Sequence, residues 1–451
     1  MSRIDDLPRY FNLIRRYVLF MFKRYYGEFI VIGKENIPEN VPLIFAPNHI
    51  NALMDALAVH YVISRNLPLI FLGRADIFRN KTAARFLGYA KIMPAFRMRD
   101  GIENLGNNTE IFNQCIEILH NNKALGIMPE GNQEIERKLR PLVKGIFRIA
   151  FAAQQKYGIE PSVKIIPVGI DYGDIFKSNK HIIINIGKPI EVSDYINLYS
   201  TNQVKATNEI RERLRKDLSD LTLNLATDSY YNCFEIAVEV VQKPIFEELK
   251  LKDNTLNRFI SRQKVAKRLV ELEKKKPEEL IKLDLLCSEY KKQLNQLNLK
   301  TRIIENGNPN SLKIILEIIF LTISIPVFVL GFILNFLPFF SPVFVRKYIM
   351  KAQYNGFFSS LQFGLGIITF PLFYLIQTVL FWIFISSSAW AILLFFFAQY
   401  PLGKFAFTWN KISVKLMAKI RYIRFKNKKT IQLKELETLY NQIVETVISA
   451  K

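Results

Sequence analysis

The sequence predicts an α/β fold, a mixed sheet flanked by helices, with an added helical region and a C-terminal hydrophobic membrane hairpin. Three observations lead to this prediction. Short apolar runs, often β-branched, alternate with helix-like runs between residues 31 and 200. Residues 203–312 are rich in lysine, glutamate and leucine at helical spacing and show few strand signals. Two long stretches, 318–345 and 352–403, contain no charged side chain.

The α/β region is predicted to contain seven strands, with helical stretches between several of them. Each candidate is short and apolar, as expected of a strand whose faces are largely buried. The alternation of strands and helices is typical of a domain in which helices cover a sheet. The candidate strands are residues 29–32, 43–46, 69–72, 91–93, 124–127, 163–168 and 181–186.

Composition indicates a reducing compartment and a polyanionic neighbour. The 451 residues include 50% hydrophobic and 23% charged side chains, and the formal net charge is +22. Such a charge favours nucleic acid or an anionic bilayer as partner. Cys115, Cys233 and Cys287 are odd in number and widely spaced, which indicates neither a disulfide framework nor a metal site. No signal peptide is expected, because the first residues are polar and those that follow carry arginine and lysine.

The two uncharged runs favour the membrane over nucleic acid. A helix needs about 20 apolar residues to cross a bilayer. The first run can therefore cross once, and the second can cross twice with a turn near residues 386–388. Pro326, Pro338 and Pro342 favour a kinked, re-entrant or shallow first run, and hence two crossings. Three crossings fit the lengths equally well.

Basic residues flank both uncharged runs, between 346 and 351 and between 404 and 429. The positive-inside tendency therefore places these flanks and the N-terminal domain on the cytoplasmic side. Residues 8–26 mix apolar and aromatic with basic side chains, as in a helix that lies among anionic phospholipid headgroups. The predicted divisions are 1–30, an amphipathic interfacial helix; 31–200, the α/β domain; 201–312, a helical insertion; 313–403, membrane-embedded segments; and 404–451, a basic helical tail.

A candidate catalytic histidine, His49, lies in the stretch APNHINALMD, where a predicted strand turns into a predicted helix. An imidazole there can take a proton from a hydroxyl if a carboxylate fixes its tautomer. Asp55 is six residues on, which places two side chains of a regular helix about 240° apart. The pair therefore requires an irregular turn through residues 50–54. A helix cap or an ordinary junction is the alternative interpretation.

Three further blocks follow this histidine, each near the end of a predicted strand. They are residues 88–100 (GYAKIMPAFRMRD), 124–132 (ALGIMPEGN) and 165–172 (IIPVGIDY). With the Asn-His-x(5)-Asp block that begins at Asn48, this order resembles the glycerolipid acyltransferase family. Members of that family are membrane enzymes that acylate glycerol phosphate and its lyso derivatives. The resemblance covers residues 48–169 and implies that family's α/β fold.

The resemblance implies a role for each matching residue. His49 would be the general base that activates the acceptor hydroxyl, and Asp55 would orient it. Arg97 would bind the acceptor phosphate, which suits the fork of an arginine side chain. No covalent enzyme intermediate is implied, because the acceptor attacks the thioester directly. The predicted substrate-binding residues are Asn48, Arg97, Arg99, Glu130, Gly131, Arg137, Lys138, Pro167 and Val168.

The later blocks would form the walls of the site. Glu130 and Gly131 would shape the acceptor site, and backbone N–H groups near Gly131 would be available to an anion. Pro167 and Val168 would line the acyl channel. Taken alone, Pro-Glu-Gly is a turn signal, and the two arginines of the second block also fit a solvated strand end.

Two departures from the commonest family pattern indicate a branch. That form has His-x(4)-Asp spacing and Thr-Arg after Glu-Gly, whereas this chain has five residues between His49 and Asp55 and carries Asn132 and Gln133 after Glu-Gly. The branch with His-x(5)-Asp spacing, which includes glycerol-3-phosphate acyltransferases, also lacks Thr-Arg and carries a basic residue before a Leu-x-Pro-Leu-like run. Here residues 139–142 (LRPL) occupy that run, so Arg137 or Lys138 would supply the charge.

These observations predict a membrane O-acyltransferase of phospholipid biosynthesis with transmembrane helices. It would move a fatty acyl group from acyl-CoA or acyl carrier protein to a hydroxyl of glycerol 3-phosphate or 1-acylglycerol 3-phosphate, without a cofactor or metal. Its partner would be the lipid bilayer with its anionic phospholipids, and no nucleic acid is expected. The alternatives are an acyltransferase for another lysolipid or aminolipid, a non-catalytic lipid-binding membrane protein, and a small transporter.

Overall fold

The computed structural model describes residues 6, 8–79, 81–95, 107–158, 160–350 and 355–449. The chain folds into two compact units. Unit 1 comprises Met1–Asn224 and Gln353–Ser360, and unit 2 comprises Leu225–Ala352 and Leu361–Lys451. Unit 1 thus contains the predicted α/β domain and, in addition, a short segment from far along the chain.

Unit 1 is built on one mixed sheet. Its described strands are β1 (Glu28–Ile32), β2 (Leu43–Pro47), β3 (Leu69–Arg74), β4 (Ile92–Ala95), β5 (Ala124–Gly126), β6 (Lys164–Tyr172), β7 (His181–Ile186) and β8 (Ile190–Glu191). They occur in the order β1-β7-β6-β2-β5-β3-β4, with β8 paired to β6. The pairs β6–β7 and β6–β8 are antiparallel, and the others are parallel. The mixed sheet and its seven predicted strands are confirmed. Strand β8 was not predicted, because two residues are too few to give a recognisable strand pattern in the sequence.

Strand β2 determines where the candidate site lies. It is parallel to both of its neighbours, β5 and β6, and all of its residues are buried, which explains its unbroken apolar sequence. The carboxyl ends of parallel strands meet at one edge of a sheet, where open α/β sheets bind their ligands. His49 follows β2 and Glu130 follows β5, so both come to this edge.

Helices cover the sheet of unit 1. Helices α5 and α7 contribute Phe147, Phe151, Ile210 and Leu214 to one core with the strands. The buried residues of α7 recur at helical spacing, which identifies its apolar face. This helix was predicted to begin the helical insertion, but it packs within unit 1. The described helices are α1 (Arg9–Tyr25), α2 (Ala52–Val62), α3 (Lys81–Tyr89), α4 (Asn107–His120), α5 (Gly145–Tyr157), α6 (Ile196–Thr201) and α7 (Gln203–Leu221).

Helix α1, the predicted interfacial helix, is attached to unit 1 through Arg15. This side chain is 8% exposed, and its guanidinium donates to the carbonyl oxygens of His60, Ser64 and Arg65 at 3.2, 3.4 and 3.1 Å. These carbonyls lie at or just beyond the C-terminal end of α2, where a cation is favourable. Arg15 is therefore engaged inside the protein, although the basic side chains of residues 8–26 were predicted to lie among phospholipid headgroups.

Unit 2 is helical in its described residues. Helix α10 begins at Pro277, a position where proline is tolerated because the first N–H groups of a helix have no partner within it. The helices are α8 (Tyr231–Glu248), α9 (Thr255–Lys275), α10 (Pro277–Gln296), α11 (Thr301–Asn306), α12 (Ser311–Ile323), α13 (Ile325–Phe344), α14 (Phe358–Phe384, whose first three residues belong to unit 1), α15 (Ala389–Asn427) and α16 (Ile431–Ser449).

Among the described residues, α13, α14 and α15 are long and apolar enough to cross a membrane. The predicted turn at residues 386–388 lies between α14 and α15. The expected interruption of the first uncharged run is present at Ser324, between α12 and α13 and just before Pro326, whereas α13 continues through Pro338 and Pro342. Pro326 lies in the first turn, where its missing N–H leaves no bond unmade. The three helices indicate a membrane protein.

Two glycines allow close packing of α13 on α15. A Cβ atom at Gly331 would overlap the carbonyl oxygen of Leu402, and one at Gly403 would overlap the side chain of Asn335. Small residues of this kind let apolar helices approach closely in membranes. Asn335 also donates to the carbonyl oxygen of Gln399 at 3.1 Å, so a side-chain hydrogen bond adds to the packing.

We expect Gly331→Ala to destabilise unit 2. The added methyl group would collide with backbone that cannot rotate away, and overpacking of this kind costs about 1–3 kcal/mol. Gly364→Ala is the matched control, because no atom lies within 4 Å of a Cβ at this position of α14. The measurement is the fraction of detergent-solubilised protein that stays monodisperse after heating. Equal loss in both variants would contradict the packing role of Gly331.

Candidate active site

The predicted pair is present in the structure: Nδ1 of His49 lies 2.9 Å from Oδ2 of Asp55. Ile50 and Asn51 are not helical, and α2 begins at Ala52, whose φ of 38° is unusual for a residue with a side chain. The chain therefore turns sharply before the helix, and Asp55 in the first helical turn faces back towards the imidazole. The irregular stretch covers Ile50 and Asn51, whereas the sequence predicted an irregular turn through residues 50–54.

Asp55 is fully buried and accepts four hydrogen bonds. Its Oδ2 also accepts from the backbone N–H of Ile50 at 2.9 Å and of Asn51 at 2.7 Å, and its Oδ1 accepts from the hydroxyl of Tyr172 at 2.7 Å. This many donors stabilises the charged carboxylate in the interior. A carboxylate at Nδ1 of His49 requires the hydrogen there, which leaves the lone pair on Nε2 for a substrate hydroxyl.

Tyr172 is a residue of the site that sequence reasoning did not assign. It ends β6, and its side chain is fully buried. Burial raises its pKa well above the usual value, and the charge of Asp55 raises it further. Tyr172 therefore keeps its proton and acts as a hydrogen-bond donor to Asp55. Its position at the end of the IIPVGIDY block, one of the blocks expected to form the site, could have indicated this role.

A buried ion pair holds the backbone of His49 on both sides. The N–H of His49 donates to Oε1 of Glu130 at 2.8 Å. Arg140 donates from Nε to Oε2 of Glu130 at 2.9 Å and from Nη2 to the carbonyl oxygen of His49 at 3.1 Å. The side chain of Glu130 is 1% exposed and that of Arg140 is 14% exposed. Glu130 was predicted to shape the acceptor site; the structure shows that its carboxylate positions His49.

Asn48 extends the pairing of β2 with β6 beyond the end of the strand. Its Oδ1 accepts from the N–H of Ile170 at 2.7 Å, and its Nδ2 donates to the carbonyl oxygen of the same residue at 3.1 Å. Its own N–H donates to Val168 at 3.2 Å. Asn48 was predicted to bind substrate, whereas here its side-chain amide serves to fix the start of the His49 loop.

The remaining wall residues lie in the same region. Gly131 has a φ of 67°, and its N–H donates to the carbonyl oxygen of Met128 at 3.1 Å, so this N–H is used in a turn and not by an anion. Pro167 and Val168 are buried in β6, paired in register with Ala46 and Pro47 of β2. A role for them in an acyl channel stays a prediction.

The basic residues that were predicted to bind substrate differ in their contacts. Arg137 donates from Nη2 to the carbonyl oxygen of Tyr172 at 2.6 Å and from Nε to Asp171 at 3.4 Å. Lys138 and Arg137 both line a small cavity beside Asn48 with about 10 Å³ of free space, roughly the room for one water molecule. A phosphate would need this cavity to open. Arg97 and Arg99 lie outside the described residues.

Two other histidines, His60 and His181, have surroundings that differ from those of His49. The ring of His60 packs against Phe71, with centroids 5.5 Å apart, and burial lowers its pKa to about 3, with a smaller effect from Arg15. His60 is therefore a neutral core residue. Nε2 of His181 lies 3.6 Å from Oδ2 of Asp171, on the side of that carboxylate away from Arg137.

Comparisons with known proteins identify the domain. The Acyltransferase family model matches residues 28–171. Glycerol-3-phosphate O-acyltransferase 1 of Saccharomyces cerevisiae is 27% identical over 116 residues, which are 25% of this chain and 15% of the relative. A 1-acyl-sn-glycerol-3-phosphate acyltransferase of Borreliella burgdorferi is 25% identical over 201 residues, 43% of this chain and 73% of the relative. The crystal structure of the Thermotoga maritima 1-acyl-sn-glycerophosphate acyltransferase aligns with 46% of this chain and 78% of its own, at 18% identity and a TM-score of 0.33.

Residues 28–171 are therefore an acyltransferase domain. The domain is similar to the glycerol-3-phosphate and 1-acyl-sn-glycerol-3-phosphate acyltransferases named above, in agreement with the resemblance found in the sequence. The chain spans only 15% and 16% of the length of the two yeast relatives it matches.

Proposed function

We propose that this protein is a membrane-bound acyltransferase that moves a fatty acyl group from an acyl thioester to a hydroxyl of glycerol 3-phosphate or 1-acylglycerol 3-phosphate. The observation that supports it best is the 2.9 Å contact between His49 and Asp55 at the carboxyl edge of the sheet. The pair supplies a general base whose tautomer is fixed, next to strand ends that meet in one place.

The chemistry needs little more than this pair. Nε2 of His49 takes the hydroxyl proton as the acceptor oxygen attacks the thioester carbonyl carbon. The tetrahedral intermediate collapses, the C–S bond breaks, and the departing thiol takes the proton back from His49. Asp55 stabilises the imidazolium between these steps. The protein needs no cofactor for this sequence, since acyl-CoA or acyl carrier protein brings the activated acyl group.

The orientation follows from the basic flanks. Arg346 and Lys347 follow α13, and α15 carries a run of basic residues towards its C-terminal end. Cytoplasmic flanks of membrane helices are enriched in such residues. We therefore place the acyltransferase domain on the cytoplasmic face, where soluble acyl thioesters are available, with its partner the anionic bilayer.

The function is tested with purified protein and a radiolabelled acyl thioester, offered both as acyl-CoA and as acyl carrier protein. Glycerol 3-phosphate, 1-acylglycerol 3-phosphate and a neutral lysolipid are supplied in parallel. We expect labelled product with a phosphate-bearing acceptor. Transfer to the neutral lysolipid alone would favour the other-lysolipid alternative, and transfer to no acceptor would favour the lipid-binding alternative. Either result would contradict the proposal.

A further inference from the structure

The segment that begins the second long apolar helix, α14, packs within unit 1 against residues 48–53, the loop and helix start that carry His49. We call residues 355–360 the α14 leader; they comprise a short 3-10 turn and the first three residues of α14. Ser359 and Ser360 are only 2% and 7% exposed, so both hydroxyls lie inside the unit. Nothing in the uncharged run from which they come predicted a role in the site.

Ser359 fixes the residue that follows His49 by two positions. Its hydroxyl donates to Oδ1 of Asn51 at 2.5 Å, and Nδ2 of Asn51 donates to the carbonyl oxygen of Ile175 at 3.3 Å. Asn51 is 1% exposed, so both bonds are buried. The amide is held from two sides, in the part of the loop whose irregular backbone brings Asp55 to His49.

Ser360 acts as a cap for α2, although it lies 307 residues further along the chain. Asn51 is at the N-cap position, but its side chain accepts no hydrogen bond from the helix. The free N–H group of Leu53 donates instead to the hydroxyl of Ser360 at 3.2 Å. A cap satisfies one of the first N–H groups of a helix and fixes where the helix begins. This first turn is the one that contains Asp55.

Gln133 adds a third link between the leader and the loop. Its Nε2 donates to the carbonyl oxygen of Gly356 at 2.8 Å and contacts that of Ile50 at 3.4 Å. Gln133 stands where the commonest family form carries an arginine. In this chain the amide at this position joins the backbone of Gly356 to that of Ile50 and so helps to hold the turn in place.

We propose that Ser359 and Ser360 are positioning residues for the His49–Asp55 pair, and that the α14 leader is part of the active-site structure. The inference rests on the proposed function. The irregular turn at Asn51 is what lets the carboxylate reach the imidazole, and both serines bond to that turn. The hydrogen bonds of the two serines go to Asn51 and Leu53, so their loss acts on the geometry of the pair and hence on kcat.

The test compares the double variant Ser359→Ala/Ser360→Ala with the wild type. Loss of the hydrogen bonds by which these hydroxyls hold the turn should lower kcat roughly tenfold while KM stays within about twofold. Hydrogen–deuterium exchange of the Ile50, Asn51 and Leu53 amides should rise by a similar factor, because the turn opens more often. Ser388→Ala is the matched control: Ser388 precedes the next apolar helix, is exposed and makes no side-chain cap bond.

Two results would overturn the inference: unchanged exchange of these amides, or an unchanged kcat in a preparation whose activity is lost in His49→Ala. A rise in KM without a fall in kcat would overturn it too, since it would place the serines in substrate binding. An inactive wild type would contradict the proposed function, and the exchange measurement would then decide alone whether the leader holds the turn.

Discussion

Substituting His49 with alanine should reduce kcat about a thousandfold or more with either phosphate-bearing acceptor. General acid–base groups contribute about 10²–10⁴-fold, and the imidazole of His49 is fixed by a 2.9 Å contact with a buried carboxylate, whereas Nε2 of His181 lies 3.6 Å from Asp171. Asp55→Asn should cost nearly as much, because an amide cannot accept all of the donors that surround this carboxylate. The measurement is the steady-state rate of acyl transfer at saturating acceptor.

The double variant His49→Ala/Asp55→Asn makes this test sharper. Residues that act as one unit give non-additive losses, so the double variant should be no slower than the slower of the two single variants. His120→Ala is the matched control, because this histidine lies at the exposed end of α4. A His49→Ala enzyme that keeps a tenth of the wild-type kcat would refute the general-base role.

What could be predicted from the sequence was local. Strand β2 was recognised because its five residues are all apolar, and the His49–Asp55 pair because the two lie six residues apart in a recognisable block. The requirement for a break in the helix before Asp55 followed from the 100° step of an α-helix and is met by Ile50 and Asn51.

The parts that could not be predicted are contacts between distant segments. Tyr172 lies 117 residues from Asp55, Arg140 lies 91 residues from His49, and Ser359 lies 308 residues from Asn51. No periodicity or spacing encodes such a contact, because it depends on how the strands are ordered in the sheet. The same reason explains why the ion pair between Glu130 and Arg140 was not predicted, although both residues lie in blocks that the sequence analysis named.

We expect Arg140→Met to be strongly destabilising. It would leave the carboxylate of Glu130 buried without its cation, and breaking a buried ion pair in this way costs about 3–5 kcal/mol. The variant should melt roughly 6–20 °C below the wild type in detergent, by the usual scaling for a unit of this size. Activity should also fall, since Arg140 holds the carbonyl oxygen of His49.

The chain provides its own control for this prediction. Arg213 and Asp217 form an ion pair with the same 2.9 Å separation as Arg140 and Glu130, but on the exposed face of α7. Exposed pairs contribute only about 0–1 kcal/mol, so Arg213→Met should be nearly silent. Equal melting temperatures for Arg140→Met and Arg213→Met would show that the burial of Glu130 does not increase the contribution of its ion pair to stability.

Adding Glu130→Gln to Arg140→Met separates the effect of the unpaired Glu130 charge from the effect of the lost packing of Arg140. In Glu130→Gln/Arg140→Met no buried charge remains unpaired, while the amide oxygen at position 130 can still accept from the N–H of His49. We therefore expect the double variant to recover part of the melting temperature lost in Arg140→Met, because the new amide nitrogen would still face the backbone N–H of residue 140. It should not recover kcat fully, because the carbonyl oxygen of His49 has still lost its donor. Recovery of both would mean that Arg140 serves only to neutralise Glu130, and recovery of neither would mean that the arginine contributes through packing.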